Sequence, residues 1–257
     1  MKFNRPFLFL VPIGLSISSC SSGSTDATIT PGSGNTTTTT TVVSTTTTTV
    51  EKTSKVVNGF TIESGADLRG ANLQNADLTD CDLSNADLSG ANLADANLSG
   101  SDLRGANLQG ADMEFASFLR SDLRGANLQG ADLSDSIAWW ADLSKVDLSE
   151  ADLKGAVWAR VKLTDANLSG VNLSDALLQG ADLRGVNLYG AKLSRAKLAG
   201  ADMTRSRLVF ADLRGADLRG VDLTDANLAG ADMTSDELRW GAMLDGAMWT
   251  DGTKFGK

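Results

Sequence analysis

Apolar residues recur at every fifth position along two thirds of the chain. Starting from Leu68, this series reaches Met233 without one insertion, which makes 34 consecutive units of the form Ala-Asp-Leu-x-Gly. The central residue is Leu in 28 of the 34 units, and the residue two places earlier is Ala in 24 of them. Every other residue at that earlier position is Ser, Val or Cys. A period this strict over residues 66–235 indicates a repeat architecture.

These units resemble the pentapeptide repeat, and the family resemblance covers the same two thirds of the chain. It implies an all-β fold, the right-handed quadrilateral β-helix, in which four units make one coil. The packing agrees, because alternating Leu and Ala would fill a narrow square interior. The fifth residue of the unit is Gly, Asn or Asp in 24 of 34 units, and these residues best tolerate the positive φ of a corner. With coils about 4.8 Å apart, the rod would be roughly 41 Å long.

The predicted β-helix, 66–235, needs a cover at each end, because an open end would template aggregation. Residues 59–65 are predicted to cap the first coil. After the last unit the Ala-Asp frame is lost, although Met243 and Met248 keep the five-residue spacing. We therefore predict that 236–257 form a C-terminal cap. The alternative is that the aromatic residues of this segment form a homodimer interface, as in family members that pair end to end.

The first 58 residues carry an export pattern and a polar linker. A positive n-region, an apolar stretch and small residues precede Cys20, so residues 1–19 are predicted to be a signal peptide. The tetrad Ile17-Ser18-Ser19-Cys20 resembles the bacterial lipobox, which implies that Cys20 is the lipidation site of a membrane lipoprotein, open to palmitate labelling, on the periplasmic or extracellular side of the envelope. An ordinary signal peptide is the alternative. Residues 20–58 are dominated by Ser and Thr and are predicted to be a flexible linker.

Departures from the repeat gather on one predicted face, because residues twenty apart stack in a four-sided solenoid. One outward column has three consecutive apolar residues where Asp or Asn is usual, and the neighbouring columns add Trp and Arg. We call this surface the Trp patch; it comprises Leu119, Arg120, Ile137, Trp139, Trp140, Val157, Arg160 and Leu177. Contiguous exposed apolar patches mark interaction sites, and Trp and Arg are favoured anchors. The alternative is that these aromatic side chains fold over locally or cover a kink.

The core beneath the Trp patch follows the same register. Phe118, Ala138 and Trp158 are predicted to stack inside this face in the order large, small, large. Ala138 would then make room for its two neighbours, which needs no ligand. Cys81 falls at the small inward position of its unit and is predicted to be a core residue.

A second outward column is acidic. It carries carboxylates in seven of eight places, as follows: Asp82, Asp102, Asp122, Asp142, Lys162, Asp182, Asp202 and Asp222. Arg104, Arg124 and Arg184 lie beside this column and partly compensate its charge. We predict a solvated face tuned for solubility, and the alternative is cation binding by the stacked carboxylates.

Charge and composition narrow the function. The formal net charge of −9 disfavours a nucleic-acid ligand and permits a basic partner. The chain has no His, the commonest general base and zinc ligand, so we expect neither an enzyme nor a metal or other cofactor. The leading hypothesis is an exported, lipid-anchored scaffold that binds a protein or envelope component through the Trp patch. The alternative is an acidic DNA mimic, because some members of the family bind DNA gyrase in place of DNA.

Overall fold

A β-hairpin opens the part of the chain that the computed structural model describes, which is residues 55–234 and 241–249. Strand β1 (Lys55–Val57) pairs antiparallel with strand β2 (Phe60–Ile62). Asn58 and Gly59 form the turn with φ values of 52° and 85°, the left-handed conformation that a two-residue Asn-Gly turn favours. The predicted linker 20–58 therefore extends too far, because its last four residues belong to this hairpin.

The hairpin covers the first coil of the solenoid. Val57 and Phe60 pack against the core, and Ile62 is buried. The Lys55 Nζ donates to the Asp77 carbonyl at 2.7 Å, and the Asn58 Nδ2 donates to the Asn72 carbonyl at 3.2 Å. These bonds serve first-coil carbonyls that have no preceding coil to pair with. The cap thus begins at Lys55, four residues before the predicted boundary of 59–65.

Parallel bridges twenty residues apart build the rest of the described structure. The first joins Asp67 to Asp87, the last in this register joins Asp212 to Asp232, and a bridge occurs at every fifth residue between them. Four bridges per twenty residues give each coil four sides, as the repeat predicted. The Leu68 amide donates to the Asp87 carbonyl at 2.7 Å, and the Asp87 amide donates back to the Ala66 carbonyl at 2.9 Å. Each side is therefore a very short strand of a parallel ladder.

The two inward positions of the unit form one continuous core. The central Leu residues are almost completely buried, and so are the small residues two places earlier, including Cys81. The fifth residue of every unit from Gly70 to Gly230 has a φ between 53° and 72°. Nine of these corner residues are neither Gly, Asn nor Asp, so they hold the left-handed conformation against a local steric cost of roughly 1–2 kcal/mol.

The solenoid continues beyond its predicted end, in a register shifted by one residue. Asp222 pairs with Met243 and Asn227 pairs with Met248, which are 21 residues apart. Met243 accordingly lies in the outward column and is half exposed, while Leu244 and Trp249 pack against the core. The sequence prediction had assigned Met243 and Met248 to the inward spacing and the whole of 236–257 to a separate cap. One inserted residue, within a stretch outside the described residues, accounts for the difference.

The described residues contain no helix long and apolar enough to cross a membrane. The predicted signal peptide, the lipidation site Cys20 and most of the linker lie outside them.

Candidate functional site

The apolar column of the Trp patch is a continuous part of the parallel ladder. Ile137 is bridged to Ser117 on one side and to Val157 on the other, and Val157 is bridged in turn to Leu177. Ile137 is exposed, whereas Val157 and Leu177 are half-buried. The three apolar side chains are therefore presented at the coil spacing on one flat face, as their twenty-residue separation predicted.

Two tryptophans meet at the edge of this column. The Trp139 and Trp140 ring centroids are 5.6 Å apart with planes at 87°, an edge-to-face pair. Trp140 occupies a corner with φ 58°, which directs its indole away from the rod, and 49% of the residue is exposed. Trp139 is half-buried. The pair thus combines a partly supported ring with a free one.

Only one of the two predicted arginines stacks on Trp140 in the described structure. The Arg120 Cζ lies 5.9 Å from the ring centroid, within cation–π range. Arg160 lies on the opposite side of Trp140, and its side chain runs towards the next coil, where its Cγ is 3.8 Å from the position that a Cβ would take on Gly180. The sequence suggested that both arginines were close enough to stack, and for Arg160 this is wrong.

Large core side chains support the Trp patch from below. Phe118 and Trp158 are both 1% exposed, with Ala138 completely buried between them. The Trp158 Nε1 donates to the Ser136 Oγ at 3.0 Å, so its buried indole N–H is satisfied. The sequence predicted the order of sizes but not this hydrogen bond, although Ser136 was visible as a polar residue in an Ala position.

The ladder opens slightly where these bulky residues lie. The Ala138 amide is 3.1 Å from the Val157 carbonyl, against 2.7 Å for the equivalent bond from the Phe118 amide one coil earlier. The corner amides of Arg120 and Arg160 bond to the next coil, but within the described residues the Trp140 amide makes no equivalent bond. The Trp140 corner is therefore the most weakly hydrogen-bonded part of this face.

Opposite charges border the apolar column. Arg120 and Arg160 lie on the corner that carries Trp140, while Asp135 and Asp175 lie on the other corner of the same face. The Asp175 carboxylate accepts two bonds from Arg195, at 2.7 and 2.6 Å. A partner on this face would meet an apolar strip with a cationic row on one side and carboxylates on the other.

The acidic column is extensively neutralised, as predicted. Arg104 donates to the Asp102 carboxylate two residues earlier through both Nε and Nη2, and Arg184 does the same to Asp182. These bonds hold the pKa of both carboxyls below the usual range against the opposing effect of burial. The Lys162 Nζ lies 3.1 Å from the Asp142 carboxylate. Within the described residues no group of three or more His, Cys, Asp or Glu could hold a metal ion.

The repeats themselves decide the family. Eight copies of the family described as pentapeptide repeats match residues 64–100, 101–137, 141–180, 172–209 and 201–235. The chain belongs to the pentapeptide-repeat family. Its four-sided ladder agrees with the right-handed β-helix that this family forms.

Solved pentapeptide-repeat structures resemble this chain over much of its length. HetL from the cyanobacterium Nostoc sp. strain PCC 7120, a protein involved in heterocyst differentiation regulation, is 35% identical over 74% of this chain and 92% of its own, with a TM-score of 0.48. Rfr23 from the cyanobacterium Cyanothece 51142 is 30% identical over 42% of this chain and 63% of its own, with a TM-score of 0.33. Full-length QnrB1, a plasmid-mediated fluoroquinolone resistance protein, is 20% identical over 73% and 90%, with a TM-score of 0.34. No curated protein sequence matches the chain.

A second aromatic group on this pentapeptide-repeat rod was missed at the sequence stage of reasoning. The rings of Tyr189 and Phe210 are 5.7 Å apart at 87°, and the Arg207 Cζ lies 5.1 Å from the Tyr189 centroid. Phe210 is 61% exposed. The same column method would have found this group, because Val209 follows Tyr189 by twenty residues and Arg207 replaces the usual Asp or Asn.

Proposed function

We propose that this chain is an exported, lipid-anchored pentapeptide-repeat scaffold whose Trp patch binds a protein or another envelope component. The observation that carries the proposal is the exposed Trp140, stacked by Arg120 beside an uninterrupted apolar column. An exposed Trp next to Arg is the kind of anchor that supplies most of the binding energy at an interface. The proposed role is binding rather than catalysis.

The border of the Trp patch supports directional recognition. Because cationic and carboxylate corners lie on opposite sides of the apolar column, a partner with an apolar strip between opposite charges would fit in one orientation only. Charges at the rim of an interface contribute more to orientation and association rate than to affinity. The apolar column and Trp140 would then supply the affinity.

The tether in the proposal rests on the sequence. A lipidated Cys20 followed by a linker of about 35 residues would have a mean reach on the order of 30–35 Å. That reach compares with the roughly 41 Å length of the predicted rod, so the Trp patch would stay within a short distance of the membrane. Several acyl chains on one cysteine give a stable anchor.

The Trp patch is tested by replacing its central residue without straining the corner. Trp140→Asn keeps a residue that tolerates the left-handed conformation and removes the indole. Lys145→Asn makes the same change at the next corner of the same coil and is the matched control. We expect partner recovery with the affinity-tagged full chain to fall at least about tenfold for Trp140→Asn, which is the loss of roughly 1.4 kcal/mol of binding. Unchanged recovery would contradict the role of this face.

The anchor is tested by palmitate labelling with fractionation of the cells. We expect label in the membrane fraction that is lost in Cys20→Ala and kept in Cys81→Ala. Label that persists in Cys20→Ala would contradict the lipidation site. So would a Cys20 found in a disulfide with Cys81, seen as a mobility change on reduction.

The alternative of an acidic DNA mimic finds less support on the described surface. Seven carboxylates of the acidic column are accompanied by three arginines and Lys162, and the arginines bond to the Asp two residues earlier. A face that imitates a phosphate backbone needs a uniform negative row. This face alternates instead between ion pairs and free carboxylates.

A further inference from the structure

The second aromatic group belongs to a cationic surface on an otherwise acidic rod. We call Tyr189, Lys192, Arg205, Arg207 and Phe210 the basic cluster. All five are exposed, and none of the three cations makes an ion pair within the described residues. Arg207 stands in the usual position of Asp or Asn and has asparagine on both neighbouring coils. This arrangement differs from the six arginines that are bonded to the Asp two residues earlier.

A surface of the opposite charge lies on the adjoining face, nearer the N-terminus. We call Asp112, Glu114, Phe115, Asp132 and Asp135 the acidic cluster. Asp112 and Asp132 are bridged on consecutive coils, and Phe115 stands at the corner with 51% of the residue exposed. None of the four carboxylates makes an ion pair within the described residues. Partial burial and the surrounding carboxylates, Asp132 foremost, raise the pKa of Glu114, which shows that this charge is uncompensated.

The two clusters match in both charge and shape of side chain. Each places an exposed Phe at a corner of the rod, beside two or more unpaired charges of one sign. We infer that the basic cluster of one copy of this protein docks on the acidic cluster of a second copy. Phe210 and Phe115 then pack at the centre of the contact, and the charges pair around them, as in interfaces with an aromatic core and a charged rim. This contact is separate from the Trp patch and does not require the lipid anchor.

The positions of the clusters determine what kind of assembly results. They lie on adjacent corners and nearly five coils apart, which is about 23 Å along the rod at 4.8 Å per coil. A contact between two different surfaces is heterologous, so each bound copy leaves one cluster of either sign unused. The assembly is therefore open, and it grows by staggered addition of copies side by side.

Charge reversal at one residue of each cluster tests this directly. Arg207→Glu removes the basic half and Glu114→Arg removes the acidic half, and both side chains point into solvent. For the protein purified as its host makes it, in non-ionic detergent, we expect sedimentation velocity to show mass increasing with concentration. Each single variant alone stays monomeric. An equimolar mixture of the two forms dimers but nothing larger, because each variant retains the half that the other lacks.

Salt and a matched variant complete the test. The association should weaken as the ionic strength rises from about 0.1 M to about 1 M, where the screening length falls from about 10 Å to about 3 Å. Arg104→Glu makes the same change of charge at an arginine bonded to Asp102 and should leave the association intact. A wild-type chain that stays monomeric at every concentration would overturn the inference, and so would variants that still associate alone or a mixture that does not.

Discussion

Ser136 and Ser206 occupy the same small inward position of their units, but their hydroxyl groups meet different surroundings. Both residues are buried. The Ser136 hydroxyl accepts the Trp158 indole N–H, whereas within the described residues the Ser206 hydroxyl has no hydrogen-bond partner. The five-residue period records both simply as departures from Ala. Their energetic roles are therefore opposite, although their positions are equivalent.

Replacing each serine by alanine should separate these roles. Ser136→Ala leaves a buried indole N–H without an acceptor, and we expect the free energy of unfolding to fall by about 1–3 kcal/mol. Ser206→Ala removes an unsatisfied buried hydroxyl, so we expect no loss or a small gain. Urea unfolding of the two variants measures the difference. Equal losses would contradict the assigned hydrogen bond.

At the scale of the single unit, the corner is the most demanding element. Gly130 and Lys145 have nearly the same φ, 65° and 60°, yet only Gly adopts this conformation without steric cost. A Cβ on Gly130 would meet no atom within 4 Å. The backbone conformation alone therefore determines the effect of a substitution there.

Exchanges at these two corners should act in opposite directions. Gly130→Ala should lower the free energy of unfolding by about 1–2 kcal/mol, since Ala cannot enter the left-handed region freely. Lys145→Asn should raise it by up to about 1 kcal/mol, because Asn tolerates that region better. Thermal or urea unfolding measures both changes. A stabilising Gly130→Ala would show that the corner conformation is not what we describe.

The Asp-Leu-Arg units make stability depend on acid pH. The Arg69 side chain bonds to the Asp67 carboxylate and lowers its pKa from 3.8 to about 2, and Arg184 and Arg219 lower the pKa of the Asp two residues earlier in the same direction. A carboxyl whose pKa is lower in the folded state stabilises the fold above its unfolded pKa, and this contribution is lost as pH falls through the folded pKa.

We therefore expect the free energy of unfolding to decline as pH falls from about 4 towards about 2. The triple variant Arg69→Gln/Arg184→Gln/Arg219→Gln should show a shallower decline over this range. Chemical unfolding at a series of pH values measures both curves. Identical slopes for the wild type and the variant would contradict this source of acid sensitivity.

At the scale of the whole molecule, the repeat predicted the fold but not every part of the surface. The inward Leu and Ala and the positive-φ corners follow directly from a strict period, because every coil repeats the same packing. The register after 233 did not follow, since a one-residue insertion leaves Met243 and Met248 at unchanged spacing from each other. The direction of the Arg160 side chain and the bond from Trp158 to Ser136 also depend on neighbours one coil away, which a single unit does not encode.

The binding role of the Trp patch is tested most directly by photo-crosslinking from Ile137 in intact cells. Ile137 is exposed at the centre of the apolar column, so a benzoylphenylalanine at this position would touch any partner that covers it. We predict one discrete adduct that disappears when Trp140→Asn is added and persists when Lys145→Asn is added. An adduct that survives Trp140→Asn, or a probe at Ile137 that captures nothing, would contradict the proposed function of this face.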